Sequence, residues 1–258
     1  MSPTNDIGGP PGSRMSPVER VYPESRFGGF SDVDGTMLFY SRVHALLGPD
    51  VTVLDVGCGR GAGLLNDPVP FRRDLRNLRG KCRSIVGIDV DPDAAQNPGI
   101  DEFRLLADEA IWPVADQSID LIISDFVLEH IKDPTSYFAE AARVLKPKGI
   151  FCARTSNRIG YVALLAKLIP QRRHAQILQK VQRDRNAIDV FPTQYRANTV
   201  WKIQRLLKQA GLKGIVYGYE AEPSYLQFST ALYLFGRYLH AVMPPLLRTS
   251  LFVFARKA

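Results

Sequence analysis

The chain is poor in the residues on which several classes of protein depend. Among 258 residues there are only three cysteines, Cys58, Cys82 and Cys152, and none of them has CxxC spacing. This odd, scattered set argues against a disulfide framework and against a zinc site, so we predict no metal centre and a cytoplasmic protein. No stretch of about 18 uninterrupted apolar residues occurs, so no transmembrane helix is expected.

The first 25 residues also lack an apolar run. They are rich in proline, glycine and serine, a composition typical of disorder and unlike that of a signal peptide. No internal repeat and no second set of motifs appears further along the chain. We therefore predict a disordered segment over residues 1–25 and one large domain over residues 26–258.

The most informative segment reads VTVLDVGCGRGAG, from Val51 to Gly63. It combines an apolar strand with glycines at every second position, which let the backbone turn sharply and approach a ligand. Asp55 adds a carboxylate where a dinucleotide-binding loop would be neutral. A pyrophosphate would be repelled there, whereas a nucleoside that carries a cationic amine would be attracted.

Three further motifs follow in order. Ile85–Val90 reads IVGIDV and ends near Asp89, Ala107–Pro113 reads ADEAIWP, and Ile119–Ser124 reads IDLIIS before the segment VLEHIKDP. With these motifs the chain, from about Val51 to Asn157, resembles the class I S-adenosylmethionine-dependent methyltransferases. Four motifs in the right order are far more specific than the glycines alone.

The resemblance implies a role for each motif. The glycine-rich loop with Asp55 would cradle the methionine end of S-adenosylmethionine, Asp89 would hold the ribose hydroxyls, and Asp108 would bind the adenine amine beside the backbone amide of Glu109. The predicted cofactor site comprises Asp55, Gly57, Gly59, Asp89, Val90, Asp108, Glu109 and Ser124. Two alternatives remain open: Asp89 as a turn residue before Asp91, and Asp108 as a cap of the turn that follows it.

Strands and helices alternate over most of the chain, which favours a doubly wound, mostly parallel sheet. We predict seven strands with a terminal antiparallel pair and a helical insertion after strand five, at about 158–199. The predicted strands are 51–56, 84–90, 102–106, 119–124, 150–155, 214–219 and 248–256. Prolines at 68 and 70 delay the helix after the glycine-rich loop to about 71–78.

Two segments point to the acceptor. Residues 171–213 contain ten Lys or Arg against Asp184 and Asp189, and residues 225–247 are apolar on nearly every helical face. Each segment also fits a purely structural role, the first as a solvated helical face and the second as a core helix. Otherwise they favour an amphiphilic, anionic acceptor or peripheral contact with an anionic membrane. No nucleic-acid partner is expected, because no RNA-binding module accompanies the charge.

Catalytic and acceptor-binding candidates come from loops at the predicted carboxyl edge of the sheet. His130 in VLEH is the candidate general base for an oxygen acceptor, or else a structural histidine at a helix start. Its neighbour Glu129 either orients the ring or is exposed. The acceptor-site candidates, which combine a pocket-closing tyrosine with polar residues after strand five and in the insertion, are Tyr40, Thr155, Asn157, Tyr195 and Arg196.

The sequence therefore predicts an S-adenosylmethionine-dependent methyltransferase that acts on a lipid-linked, quinone-like or saccharide small molecule. A nicotinamide-dependent oxidoreductase is the second hypothesis, although Asp55 and Asp108 argue against it. The third is a non-catalytic member that serves as a docking module. Neither the methylated atom nor the oligomeric state follows from the residues.

Overall fold

Strands and helices alternate along the chain from residue 52 onward. The computed structural model describes residues 15–161, 192–223 and 226–258. Its strands are β1 (Thr52–Val56), β2 (Ser84–Asp89), β3 (Glu102–Leu105), β4 (Ile119–Asp125), β5 (Leu145–Ser156), β6 (Leu212–Tyr219) and β7 (Ser250–Lys257). Numbered along the described residues, its α-helices are α1 (Pro17–Val21), α2 (Gly35–His44), α3 (Ala62–Leu65), α4 (Pro70–Arg76), α5 (Pro134–Val144), α6 (Val200–Gln209) and α7 (Thr230–Val242).

The seven strands form one sheet in the order β3-β2-β1-β4-β5-β7-β6. Neighbours from β3 to β5 are parallel, whereas β7 runs antiparallel to both β5 and β6. The predicted fold class is thereby confirmed, including the terminal antiparallel pair. The strand order reverses between β1 and β4, and ligands of such sheets bind in the crevice at this switch point.

Helices cover both faces because the central strands are apolar on both sides. On one face Val53 and Ile123 pack with Phe39 and Val43 of α2. On the other face Leu54 packs in a cluster with residues of α5 and α6. Alternate side chains of β1 therefore enter two different cores, as expected for a central parallel strand.

The glycine-rich loop is followed by a one-turn helix, α3, and then by a second helix, α4, that starts at Pro70. This is the interrupted helix that the two prolines predict. The interruption matters for the site because it brings arginines of α4 back to the carboxyl edge of β1 and β4.

Strand β5 begins earlier than predicted, directly after α5. The segment from Lys146 to Gly149, which precedes the predicted strand, lies within β5 as an irregularity: Ile119 pairs with Leu145, and Leu121 already pairs with Ile150. Lys148 has a positive φ of 67°. The extra residues are bulged out, which is how a turn signal is accommodated inside a strand.

The N-terminal segment also differs from the prediction of disorder over residues 1–25. Its described part forms α1, which is capped reciprocally by Ser16 and Glu19. Val21 and Tyr22 are buried against Tyr233 of α7, and the two tyrosine rings meet edge to face at 6.4 Å. The SPVE capping box was the available signal. Residues 1–14 lie outside the described residues.

Helix α7 occupies the middle of the predicted apolar segment, about 225–247, but it is not a core helix. Only Tyr233 and Gly236 of α7 are buried. Most of the predicted insertion, residues 162–191, lies outside the described residues. None of the helices in the described part of the chain has both the length and the apolar content that a membrane crossing requires.

Candidate active site

Three glycines after β1 shape the loop that begins the candidate site. Gly57, Gly59 and Gly61 have φ values of 69°, 54° and 79°, in the region that side chains other than glycine rarely adopt. A Cβ on Gly57 would come within 2.5 Å of Val127, whereas one on Gly59 would meet nothing within 4 Å. The loop is therefore packed against the β4 loop on one side and leaves open space above Gly59.

Asp89 ends β2 and ties the glycine-rich loop to the second strand. Its Oδ2 accepts a hydrogen bond from the backbone amide of Gly59 at 2.8 Å, and its Oδ1 accepts one from Asp91 at 2.9 Å. The side chain is buried, with 9% of the residue exposed. Each carboxylate oxygen has a further lone pair, so Asp89 can still accept hydrogen bonds from a ligand's hydroxyls.

A cavity of about 1750 Å³ lies at the carboxyl ends of β1, β2 and β4. It is the position that the topology predicts for a ligand. Ten of the fourteen predicted site residues line it: Tyr40, Asp55, Gly57, Gly59, Asp89, Val90, Asp108, Glu109, His130 and Tyr195. The structure thus brings together residues that are up to 155 positions apart in sequence.

Asp55 is electrostatically the most unusual of these residues. Burial, together with the neighbouring carboxylates of Asp125 and Asp89, raises the pKa of Asp55 from 3.8 to about 7. At neutral pH about half of this carboxyl group is therefore ionised. A cation placed beside it would favour the charged form, so the site is suited to a ligand with a positive group at this end.

Asp108 and Glu109, which follow β3, also line the cavity, and both are exposed. Asp108 Oδ1 accepts from the backbone amide of Ala110 at 2.8 Å, and Glu109 forms an ion pair with Lys132 at 2.9 Å. Asp108 therefore caps a turn, as the alternative interpretation proposed, and also lines the cavity. The two roles are compatible because the second carboxylate oxygen remains available to an amine.

Three predicted site residues face away from the cavity. Ser124 is fully buried and accepts a hydrogen bond from the Tyr137 hydroxyl, because side chains alternate along β4 and its neighbour Asp125 faces the cavity instead. Thr155 donates to Glu129 at 2.7 Å. Asn157 donates to the carbonyl oxygens of residues 246 and 248. None of the three lines the cavity, because each side chain is hydrogen-bonded within the fold.

Arg196 is the fourth predicted site residue that does not line the cavity. Its side chain is exposed and donates to the backbone carbonyl oxygen of Lys132 at 2.9 Å. It fixes the end of the predicted insertion to the loop that follows β4. Adjacent Tyr195, with a positive φ of 51°, is the residue of this pair that reaches the cavity.

His130 lies where the loop after β4 borders the cavity. Its Nδ1 is 3.1 Å from the backbone carbonyl oxygen of Pro192. A proton on Nδ1 satisfies that carbonyl oxygen and makes Nε2 the basic nitrogen of the ring. Glu129 does not orient the ring and is not exposed, because its carboxylate is buried and accepts from Thr155 and Ser156.

Sequence reasoning missed a network of buried ion pairs under the cavity. Arg154 Nε and Nη2 each donate to the Asp125 carboxylate at 2.7 Å, and the Tyr40 hydroxyl donates to the same carboxylate at 3.2 Å. Burial alone would raise the pKa of Asp125, but Arg154 outweighs it and lowers this pKa. Arg72 of α4 makes a second cluster, with bonds of 2.6–2.7 Å to Asp34 and Asp67.

The network could have been anticipated in part. Asp125 and Arg154 are each a charge at the carboxyl end of a predicted central strand, and β4 and β5 place them opposite one another. A charge at such a position is costly unless it is paired. The arginines of α4 gave no comparable signal, since their distance from β4 depends on the loop that contains the two prolines.

The sheet order, the glycine-rich loop and the carboxylates at the ends of β1 and β2 are similar to those of class I S-adenosylmethionine-dependent methyltransferases. Residues 54–153 match the family described as a methyltransferase domain. A probable S-adenosylmethionine-dependent methyltransferase of Mycolicibacterium smegmatis is 32% identical over 128 residues, which cover 47% of this chain and 44% of that protein.

Other relatives agree on the class. A ubiquinone biosynthesis O-methyltransferase of Parvibaculum lavamentivorans is 32% identical over 110 residues, 42% of each chain. The chain spans less than half the length of these curated relatives. A solved methyltransferase of Thermotoga maritima, a possible histamine N-methyltransferase, has a TM-score of 0.53 at 14% identity and covers 86% of this chain and 88% of its own. At that identity the likeness shows the fold.

The residues present fit S-adenosylmethionine. The open space above Gly59 is a cradle that a Cβ would fill, Asp89 offers acceptors for a ribose, and Asp55 favours a cationic amine. In the described residues no group of three or more His, Cys, Asp or Glu is placed to hold a metal ion.

Proposed function

We propose that this protein transfers the methyl group of S-adenosylmethionine to a small, amphiphilic acceptor that carries an anionic group. The observation that carries the transfer is the cavity itself, which joins the glycine-rich loop and Asp89 at one side to His130 at another. When bound, S-adenosylmethionine supplies a methyl group on a sulfonium, which an in-line nucleophile can take.

The residues of the chain would contribute positioning, charge and a proton acceptor. Asp55 and Asp89 would hold the two ends of the ribose–methionine part, which fixes the direction in which the methyl group points. Tyr40, on α2, lines the cavity beside Asp125 and restricts access of water to that side. For an oxygen acceptor, Nε2 of His130 would take the hydroxyl proton as the new C–O bond forms.

The amphiphilic character of the acceptor is supported by helix α7. The strand ends Ser156, Tyr219 and Ser250 are paired in register, so the segment that contains α7 leaves the sheet at the same edge as the cavity. Large apolar side chains of this segment are 43–68% exposed: Phe228, Leu232, Leu234, Phe235, Tyr238, Val242 and Leu246. Such a surface beside an active site suits an acceptor embedded in a lipid layer.

Positive charge in the sequence next to this apolar surface also favours contact with a membrane. Tyr161, the last described residue before the segment 162–191, contacts His240 of α7 with its ring and its hydroxyl group. The sequence of segment 162–191 contains six Lys or Arg against two Asp. An anionic bilayer surface attracts basic segments by about 1 kcal/mol per residue near the surface. We infer peripheral contact with an anionic membrane through α7.

Methyl transfer is tested with S-adenosylmethionine labelled in its methyl group and an extract of the cells that make the protein. We expect label in the organic phase with the wild-type protein and none with Asp89→Ala. Label confined to protein or nucleic acid, or no label in either phase, would contradict the proposed class of acceptor.

Membrane contact is tested by sedimentation with vesicles of phosphatidylcholine containing phosphatidylglycerol. We expect co-sedimentation of the wild-type protein and its loss in the double variant Phe235→Glu/Tyr238→Glu. Ile215→Glu is the matched control, because Ile215 is 60% exposed on β6, away from α7. Equal sedimentation of both variants would refute a role for α7.

A further inference from the structure

Arg76, on α4, is half-buried and differs from the half-buried Arg72 and the buried Arg154. Arg72 and Arg154 are each held by two hydrogen bonds of 2.6–2.7 Å to one carboxylate. Arg76 has only distant carboxylates: Nη1 is 3.9 Å from Asp125, and Nε is 3.8 Å from Asp67. These distances exceed those of hydrogen bonds, so its charge is balanced only in part.

One polar group of Arg76 has no partner. Its Nε is buried and makes no hydrogen bond with any residue that the structure describes. Nη2 donates to the Thr36 hydroxyl at 3.3 Å, which is a long bond. A buried N–H group without an acceptor destabilises a protein, and the penalty is larger for a charged group. The guanidinium is therefore better suited to a state in which a ligand supplies an acceptor.

The position of the Arg76 guanidinium indicates which part of a ligand it would contact. Arg76 lines the cavity, and its Nη1 lies 2.8 Å from the point where a Cβ of Gly63 would stand, directly after the glycine-rich loop. Its Cζ is 5.7 Å from the centre of the Tyr40 ring. Burial and the carboxylates of Asp125 and Asp55 raise the pKa of Tyr40, and the charge of Arg76 opposes this rise. Tyr40 thus links an anionic and a cationic group at one end of the cavity.

An α-amino acid group requires such a pair, because it carries an ammonium and a carboxylate on the same carbon. We propose that Arg76 binds the α-carboxylate of S-adenosylmethionine while Asp55 faces the α-ammonium. This inference rests on the proposed function and deepens it. The fork of a guanidinium can donate two parallel hydrogen bonds to a carboxylate, and Nε is one of the two donors on an edge of that fork.

Charge balance favours Arg76 over its neighbours for this role. Arg154 neutralises Asp125, and Arg72 already serves Asp34 and Asp67. Removing either of these arginines would leave a buried carboxylate unpaired, whereas moving Arg76 by a small side-chain rotation would break only its one bond to Thr36. The ligand's carboxylate would then replace two remote carboxylates with one direct partner.

The test pairs two ligands with three proteins in calorimetric titrations. The ligands are S-adenosylmethionine and decarboxylated S-adenosylmethionine, which keeps the amine and the sulfonium but lacks the carboxylate. The proteins are the wild type, Arg76→Gln and the matched control Arg73→Gln, since Arg73 lies on the same helix but does not line the cavity. Thermal melting of each variant shows whether it is folded.

We expect the wild type and Arg73→Gln to bind S-adenosylmethionine about 10- to 100-fold more tightly than the decarboxylated ligand, the effect of a charged hydrogen-bonded pair. Arg76→Gln should bind the two ligands within about threefold of each other. Arg76→Lys, which keeps the charge but not the fork, should restore part of the preference, and it answers the question if Arg76→Gln does not fold.

Two results would overturn the inference. In the first, the wild type does not distinguish the two ligands. In the second, Arg76→Gln weakens both ligands equally, which would assign the arginine a purely structural role. If the wild type binds neither ligand, the proposed function fails, and this outcome differs from the first two because binding itself is then missing.

Discussion

The raised pKa of Asp55 predicts that binding of S-adenosylmethionine depends on pH. The free protein has this carboxyl group about half protonated at pH 7, because its pKa is about 7. The ligand's ammonium and sulfonium favour the ionised form, so binding below pH 7 must expel a proton. Affinity should therefore fall about fivefold from pH 7 to pH 6 and about tenfold from pH 6 to pH 5.

The magnitude follows from the ionised fraction. Between pH 7 and pH 5 this fraction falls from about one half to about one hundredth, so the dissociation constant should rise about 50-fold. About half a proton should be released per ligand bound at pH 7 and nearly one at pH 5. Above pH 8 the α-amine of the ligand itself loses its proton, so affinity should be greatest near pH 7–8.

Calorimetry in two buffers of different ionisation enthalpy measures both quantities. The control is Asp55→Asn, which has nearly the same shape and does not titrate. We expect weaker binding by this variant at pH 8, a nearly flat dependence between pH 5 and 7, and no proton release from this position. A flat wild-type profile, or an equal slope in Asp55→Asn, would refute the assignment of the titrating group.

Three further outcomes follow from the same geometry. An acid whose pKa is raised in the folded state destabilises that state increasingly as the pH rises from about 4 to 7. Asp55→Asn removes this buried charge and should therefore raise the Tm of the ligand-free protein at pH 8, by about 2–4 °C for each kcal/mol of stability gained. An unchanged or lower Tm would contradict this expectation. Arg154→Met should lower the free energy of unfolding by about 3–5 kcal/mol, since it leaves Asp125 buried and unpaired; in urea titrations, a loss below about 1 kcal/mol would show that the pair is dispensable. His130→Gln should reduce kcat at least about 100-fold for an oxygen acceptor with an unchanged cofactor Kd, and an unchanged kcat would exclude His130 as the base.

The sheet was predictable because its strands have unambiguous patterns. Val53–Val56 and Ile119–Ile123 are apolar apart from Asp55 and Asp120, and few other arrangements bury such segments on both faces of a sheet. The ends of the strands were less predictable. Strand β5 starts at Leu145 because a bulge accommodates the Pro–Lys–Gly sequence, which is typical of a turn, and the periodicity of the sequence does not show this bulge.

The cofactor side of the site was more predictable than the acceptor side. Asp55, Asp89 and the glycines lie next to strand ends, where local sequence fixes their position. Ser124 does not line the cavity, whereas the next residue, Asp125, does, because successive side chains of a strand point to opposite faces.

The acceptor side depends on long-range contacts. Thr155 lies near the end of β5 and Asn157 directly follows this strand, as ligand-binding residues often do. Partners from the end of the predicted insertion and from the segment before β7 nevertheless take up their hydrogen-bonding groups. The position of Arg76 in the cavity could not be predicted either, because it depends on the path of a loop. Nothing near it in sequence indicates that the loop before α4 returns it to Asp125.

The measurement that tests the central claim most directly is a titration of the full-length protein with S-adenosylmethionine and, separately, with NADH. The account predicts saturable binding of S-adenosylmethionine in the micromolar range, its loss in Asp89→Ala, and no binding of NADH. Binding of NADH alone would favour an oxidoreductase. Undiminished binding of S-adenosylmethionine by Asp89→Ala would contradict the assignment of the ribose site, and no binding of either ligand would contradict the account as a whole.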